Sequence, residues 1–484
     1  MPKASHLTVC GERLFGQGLF EAASDFWHEA LTQRPDRSVV VRAHNGLGKI
    51  ALLRERPAEA ITAFDQALAA TSADDREGRA AVTMRRAVAH LKAGHRDQAF
   101  RDAHALVAQS DGLSAQRQGI VWGNLGGMQI DTELYEPAIM SLMRARQLLG
   151  SNSPYAYPIC TNLGLSHLEL RQLESAQHWF EQALAAAPTS AIHAVNGLAH
   201  VALLQGRADA MQRWSEAAFA AMWDGVASFE PEEMAHLAEV LGRMAWHAGH
   251  GRLAVRLLDH AQSFYGRSGR WNRWRSLSEA IVEAERQGDT TRTSPVLEEL
   301  TRWTVLLENL AAQDLVEKRA SQLADIRLFI ANRLADVLGL GAADQKWLAY
   351  ICRLADLGLS AVGEAPDPGT AMTAAGRALY EQHPTMSVQL LDRLGLPVAV
   401  TRAIEDHHER WDGHGFPAGK AGDEISLLGR IVATAEWYTR ETTVHARRHR
   451  TVLADLQQEA GRALDPDCVE ALVHVFDMAE GVLV

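Results

Sequence analysis

From Asn162 to Pro188 the chain reads NLGLSHLELRQLESAQHWFEQALAAAP, with its apolar and small residues gathered on one face of each of two helices. Leu163, Gly164 and His167 share the first helix, while Leu173, Ala176, Phe180 and Ala183 recur at three- and four-residue steps on the second. Pro188 stops the second helix because it has no N–H to give the ladder. Gly164 and Ala176 are small enough for the two helices to approach closely, and Phe180 is placed to fill the groove between neighbouring pairs. The pattern predicts a helical hairpin.

The same register recurs as Trp122, Leu125, Gly126, Tyr135, Ala138, Leu142 and Ala145, and again as Leu47, Gly48, Ala60, Phe64 and Ala67. Weaker copies run through Gly18, Ala23, Trp27, Ala30 and Pro35, and through Gly94, Ala99 and Ala103. Downstream, Gly206–Ala217 and the stretch from Leu241 to Ala261 carry decayed ones. The key alanines Ala23, Ala60, Ala99, Ala138 and Ala176 lie 37 to 39 residues apart, slightly more than the tetratricopeptide period of about 34. The pattern resembles tetratricopeptide repeats with longer turns, six or seven of them over roughly residues 8–265. Such arrays form superhelices whose concave face binds a peptide or protein, so the resemblance implies a protein partner there. The alanines, glycines and aromatics themselves are packing residues.

Helical spacing continues through Arg270–Arg286, and Gln287–Ser294 is a polar break. Leu297, Leu300, Trp303, Leu306, Leu307 and Leu310 then mark an amphipathic connecting helix, which packs within the chain or on its twin in a homodimer. From about Gln322 the chain reads as helices broken by Gly/Pro turns, without strand alternation. The expected architecture is all-α: a tetratricopeptide-like superhelix over 1–270, connecting helices over 271–320 and a second helical domain over 321–484.

Composition narrows the function by exclusion. A net charge of −12 disfavours diffuse binding to nucleic acid or an anionic membrane, though a local basic pocket for a small anion is still allowed. Cys10, Cys160, Cys352 and Cys468 are scattered without a CxxC, as suits buried thiols in a reducing cytoplasm. The opening MPKASHLTVCGERLF is no signal peptide and no later run spans a bilayer, so a cytoplasmic location is expected. There is no GxxxxGK[ST], GxSxG or HExxH, and no helix-turn-helix.

The strongest chemical signal is HHERWDGHGFP, residues 407–417. Adjacent imidazoles beside a carboxylate are metal-ligand material, and Gly413-x-Gly415 lets backbone approach a ligand or partner. The segment resembles the HD-GYP signature HHExxDGxGYP, with Phe416 for its tyrosine. Active members of that all-helical family are metal-dependent phosphodiesterases that hydrolyse cyclic di-GMP. The resemblance covers about 160 residues and places the metal-binding positions on Asp356, His383, His407, His408 and Glu436, the last where the family has aspartate. It makes Arg448 the phosphate-binding candidate. Glu409, Arg410, Trp411, Asp412, Gly413, Gly415, Phe416 and Pro417 become the loop that, in some relatives, contacts GGDEF diguanylate cyclases. Trp411 and His414 are expected at the surface.

The departures matter as much. The family's opening histidine is Ala324, and its HDxGK motif reads Ala355-Asp356-Leu357-Gly358-Leu359. Two histidines and the phosphate-contacting lysine are thus replaced by apolar residues. Multi-metal hydrolysis loses imidazole–metal bonds and transition-state charge together, so efficient catalysis by the family mechanism is not expected. Three histidines and a carboxylate still fit one divalent iron, manganese or zinc ion. Adjacent histidines on a regular helix diverge by about 100°, so His407 and His408 can share a metal only near a helix end. The leading reading is a bacterial signalling adaptor, whose repeats grip one protein while the degenerate domain presents its loop or senses cyclic di-GMP. Alternatives are a working phosphodiesterase with an atypical ligand set, and nucleotide binding without hydrolysis through Arg410, Arg448 and stacking aromatics.

Overall fold

The computed structural model describes residues 3–187, 191–224, 231–267, 270–289, 301, 304–305, 321–361 and 373–480. These residues are helical, with no strand among them. Pro188 and the apolar positions expected to form the connecting helix lie outside them. No described helix is long and apolar enough to cross a membrane, and all four cysteines are free and buried.

One compact unit is principally Phe26–Trp223. It is built from helix pairs, for example Arg37–Leu53 with Pro57–Ala70 and Ala156–Glu169 with Leu173–Ala186. The small residues of the repeat register are small for steric reasons. A Cβ on Gly48 would lie 2.5 Å from the Phe64 ring, and one on Gly164 2.6 Å from the ring of Phe180. Phe180 also closes on the following helix, Ile192–Leu204, where a Cβ on Gly197 would stand 2.4 Å away. One aromatic ring therefore joins a pair to its successor, with Leu168, Ala176, Leu198 and Val201 packed around it.

The turns inside the pairs also repeat. Each has one residue in the left-handed region, at Gly18, Glu55, Gly94, Glu133, Arg171, Gly206 and Gly249. The following N–H then reaches back to the carbonyl five residues earlier, as in Arg56 to Ala51, Leu134 to Gln129 and Gln172 to His167, at 2.8 to 2.9 Å. This is a Schellman ending, which satisfies carbonyls that the helix end would otherwise orphan. Three of the seven turns use a non-glycine there, at a steric cost of about 1–2 kcal/mol each.

The second compact unit contains Met244–Val484 together with Cys10–Asp25. Its centre is the helix Ser321–Val337, which packs on Ala342–Leu354, Leu427–Thr439 and Pro466–Glu480. Ile330, Leu334, Leu348, Ile431, Val432, Leu472 and Phe476 are fully or almost fully buried and form its apolar interior. Residues 10–25 belong to this unit by direct contact. Phe20 meets Phe329 edge-on at 5.8 Å between ring centroids, and the Asp25 carboxylate accepts the His449 backbone N–H.

Candidate metal centre

Pro384 lies inside the helix Ala374–Leu391 and cannot donate to the Tyr380 carbonyl four residues back. His383 uses that carbonyl instead, with Nδ1 2.6 Å from the Tyr380 oxygen. A ring nitrogen facing a carbonyl must carry the proton, so Nε2 presents the lone pair. His407 repeats the device by another route. It caps the end of the helix Val398–Asp406, where carbonyls lack intrahelical partners, and its Nδ1 lies 2.6 Å from the Ile404 oxygen.

The two Nε2 atoms lie 3.4 Å apart, and each is 3.5 Å from Asp356 Oδ1. Three acceptors facing one point repel one another unless a cation joins them, either a proton on an imidazole or a metal ion. Imidazoles whose far nitrogen is tied to a carbonyl are the usual form of metal-binding histidines. His408 completes the group: one ligand atom from each of Asp356, His383, His407 and His408 lies within 4.8 Å of the others. The histidine pair sits just beyond a helix end, where neighbouring side chains are free of the helical divergence. This donor set fits a single divalent metal.

Asp356 is delivered by a tight turn. The helix Ala342–Leu354 gives way to the short 3₁₀ turn Leu357–Ala361. Gly358 N–H donates to Ser387 Oγ at 2.8 Å, and that hydroxyl donates to the Ala355 carbonyl at 2.6 Å. A Cβ at Gly358 would fall 2.2 Å from the His383 carbonyl, so only glycine lets the turn lie against the histidine helix.

The other face of Asp356 meets a residue that the motif does not contain. Arg327 Nη1 is 2.9 Å from Asp356 Oδ2 and 3.0 Å from Glu436 Oε2, while Nη2 donates to the Cys352 carbonyl. Glu436 thus stands apart from the four clustered ligands, paired with Arg327 and approached by Arg440 at 3.7 Å. Ala324, one turn before Arg327, and Ala355 are buried methyl groups, and Leu359 is half-buried.

Burial opposes charge on Asp356, but Arg327 and the hydrogen bonds of His383 and His407 outweigh it, holding the carboxyl well below the usual range. Burial also lowers His407, yet Asp356, as hydrogen-bond partner and as charge, reverses the balance and raises it. His408 is driven well below the ordinary imidazole value by burial, then by the charges of His407 and His383.

The loop is held by two buried acids outside the cluster. Glu409 accepts Ala418 N–H at 2.7 Å and Lys420 N–H at 3.0 Å. Asp406 accepts Ser426 N–H at 2.8 Å and pairs with Lys420 Nζ at 2.5 Å. Arg410 grips Asp412 with two bonds of 3.0 and 2.7 Å, Gly413 takes a left-handed conformation, and a Cβ at Gly415 would strike Arg410 N at 2.3 Å. The Phe416–Pro417 bond is cis, and Phe416 packs 4.8 Å from the His408 ring centroid. Trp411 differs from expectation: it is half-buried, with the Arg430 guanidinium 5.5 Å from its ring centroid. One face is therefore closed to a base or partner. His414 is exposed, and Arg448 begins the helix His449–Glu459 with its side chain exposed. Besides Arg327, Arg440 approaches the cluster's surroundings, through Glu436.

Arg327 and Asp406 were the residues sequence reasoning missed. Arg327 carried one usable signal, a charge three residues beyond Ala324 on the same helix face. Asp406 carried none, since an isolated Asp-His dipeptide is uninformative.

Residues 306–468 match the family model for the HD domain, and residues 157–190 that for the tetratricopeptide repeat. Over 151 residues the chain is 33% identical to 3′3′-cGAMP-specific phosphodiesterase 3 of Vibrio cholerae, covering 30% of this chain and 33% of that protein. It is 31% identical over 156 residues to the cyclic di-GMP phosphodiesterase response regulator RpfG of Xanthomonas campestris pv. campestris, covering 30% and 40%. With a cyclic di-GMP phosphodiesterase of Thermotoga maritima it shares 27% over 163 residues, covering 30% and 42%. The chain spans 33% to 42% of the length of these curated relatives. It carries an HD domain in its C-terminal part, related to HD-GYP phosphodiesterases, and tetratricopeptide repeats in its N-terminal part.

Proposed function

We propose that this protein is a bacterial signalling adaptor. Its repeats bind a protein partner on their concave face, and its HD domain acts as an interaction or cyclic di-GMP-sensing module instead of an efficient phosphodiesterase. The observation that carries this reading is the contrast between the loop and the chemistry beside it. Asp406 and Glu409 hold the loop through four contacts to Ala418, Lys420 and Ser426, none involving the clustered ligands. The positions that would supply two further imidazoles and a phosphate-binding lysine are Ala324, Ala355 and Leu359. The surface is kept while the reactive groups are gone, as suits recognition by a GGDEF-type cyclase or another protein.

Asp356, His383, His407 and His408 would hold a divalent metal, which when bound supplies a Lewis acid. Around it the chain's own residues orient and exclude. Tyr380 and Ile404 carbonyls fix both ring orientations, Phe416 covers His408, and Arg327 pairs with both Asp356 and Glu436. The converging ligand atoms favour one alternative, a phosphodiesterase with an atypical ligand set. The full chain, incubated with cyclic di-GMP and added Mn²⁺ or Fe²⁺, is expected to release no pGpG or GMP above the protein-free rate. Release that is abolished by His407→Ala would replace the adaptor reading with that alternative. Calorimetry with the nucleotide separates sensing from interaction alone.

A further inference from the structure

We infer that Arg327 is a built-in cation occupying the seat of a second metal, so that the centre takes one metal ion and not two. The inference rests on the reading of the histidine cluster as a metal centre, not on the partner of the repeats. Asp356 divides its two oxygens between two sides of the carboxylate. Oδ1 faces His383 and His407 at 3.5 Å each, and Oδ2 faces Arg327 Nη1 at 2.9 Å. A carboxylate with a cation site on each oxygen is how two-metal centres are bridged, with the ions about 3.5–4 Å apart. Here one of the two sides is filled by protein.

The second side is complete as an ion pair. Glu436 Oε2 shares Nη1 at 3.0 Å, and Nη2 is anchored on the Cys352 carbonyl at the end of its helix. The side chain is buried on Ser321–Val337, so removing it from this position means opening the core of the unit. A metal bound to Oδ2 would sit about 2.0–2.2 Å from the oxygen, within the space the guanidinium takes. It would also face that charge in a low-dielectric interior. Arginine stays charged throughout the physiological pH range, so the seat is filled permanently.

A single ion on the histidine side leaves no second ion to share a bridging hydroxide, and this deepens the non-hydrolytic reading of the site. The test is metal stoichiometry of the full chain refilled with Mn²⁺ after chelation, paired with its electron paramagnetic resonance spectrum. Wild type is expected to hold one ion per chain, with the hyperfine pattern of an isolated Mn²⁺. Arg327→Ala or Arg327→Gln, whichever folds by circular dichroism, is expected to take up a second ion and show the broadened spectrum of a coupled pair. Arg327→Lys keeps a cation in place and is expected to stay at one. Two ions in wild type overturn the role of Arg327 while leaving the metal centre standing, as does a folded neutral variant that remains at one. No ion in any form removes the metal centre itself, and the inference with it.

Discussion

Glu409→Ala should open the HHERWDGHGFP loop without removing any clustered ligand. The carboxylate makes two charge-assisted bonds to backbone, to Ala418 at 2.7 Å and Lys420 at 3.0 Å, from a side chain that is itself buried. Hydrogen bonds to charged groups contribute about 1.5–3 kcal/mol each, so the pair supplies roughly 3–6 kcal/mol to the closed loop. Ala418 is exposed and Lys420 half-buried, so water reaches both freed N–H groups and the loss falls near the lower end, about 3 kcal/mol. At about 1.4 kcal/mol per decade, amide protection at Ala418 and Lys420 should drop roughly 100-fold. Glu409→Gln keeps one acceptor oxygen and turns an NH₂ toward the other donor, so it should lose an intermediate amount. Hydrogen exchange followed by mass spectrometry over residues 409–425 reads this directly. Exchange in Glu409→Ala within about threefold of wild type, well under one decade, would refute the view that this acid holds the loop.

Three further outcomes follow from other parts of the chain. Metal affinity should fall as the pH drops from about 8 to about 6, because the raised His407 must shed its proton to bind while Asp356 stays ionised throughout. Calorimetric titration at several pH values checks the sign, and stronger binding at the acid end would contradict it. Gly164→Ala places a methyl 2.6 Å from the Phe180 ring and should destabilise the repeats by about 1–3 kcal/mol in urea unfolding. Arg171→Gly relieves a left-handed residue at φ 58° and should gain about 0.5–1 kcal/mol, the strain relief less glycine's extra entropy in the unfolded chain. A loss of stability there would show that the side chain matters more than the backbone.

The repeats are legible in the sequence because each helix pair restates the same steric problem. Gly48 under Phe64 and Gly164 under Phe180 are two instances of one contact, and redundancy makes the register readable even where copies decay. The clustered histidines are legible for a different reason: the motif names His407 and His408 together, and Pro384 marks its neighbour His383. Arg327 is legible only as a charge one turn from Ala324; its pairing is not, since its partners lie 29 and 109 residues away. A charge on an amphipathic helix reads as solvent-facing until burial says otherwise. The diversion of Glu436 from the cluster follows from that same arginine. Trp411 is expected in solvent because an aromatic in a Gly-rich turn has no visible cover, and Arg430 reaches it from the helix Leu427–Thr439.

Asp25 and His449 are joined across 424 positions of sequence. On the ribosome Asp25 emerges long before His449, so the unit built around Ser321–Val337 cannot close until the chain between them has been made. Long-range closure of this kind is slow, and it exposes surface while it waits. A fragment beginning at residue 321 would lack Phe20 and Asp25, and with them part of its own packing against Phe329 and the start of the helix His449–Glu459. Residues 10–25 are thus made well before the rest of their unit and wait for it, and cutting the chain at the motif boundary would leave that unit unfinished.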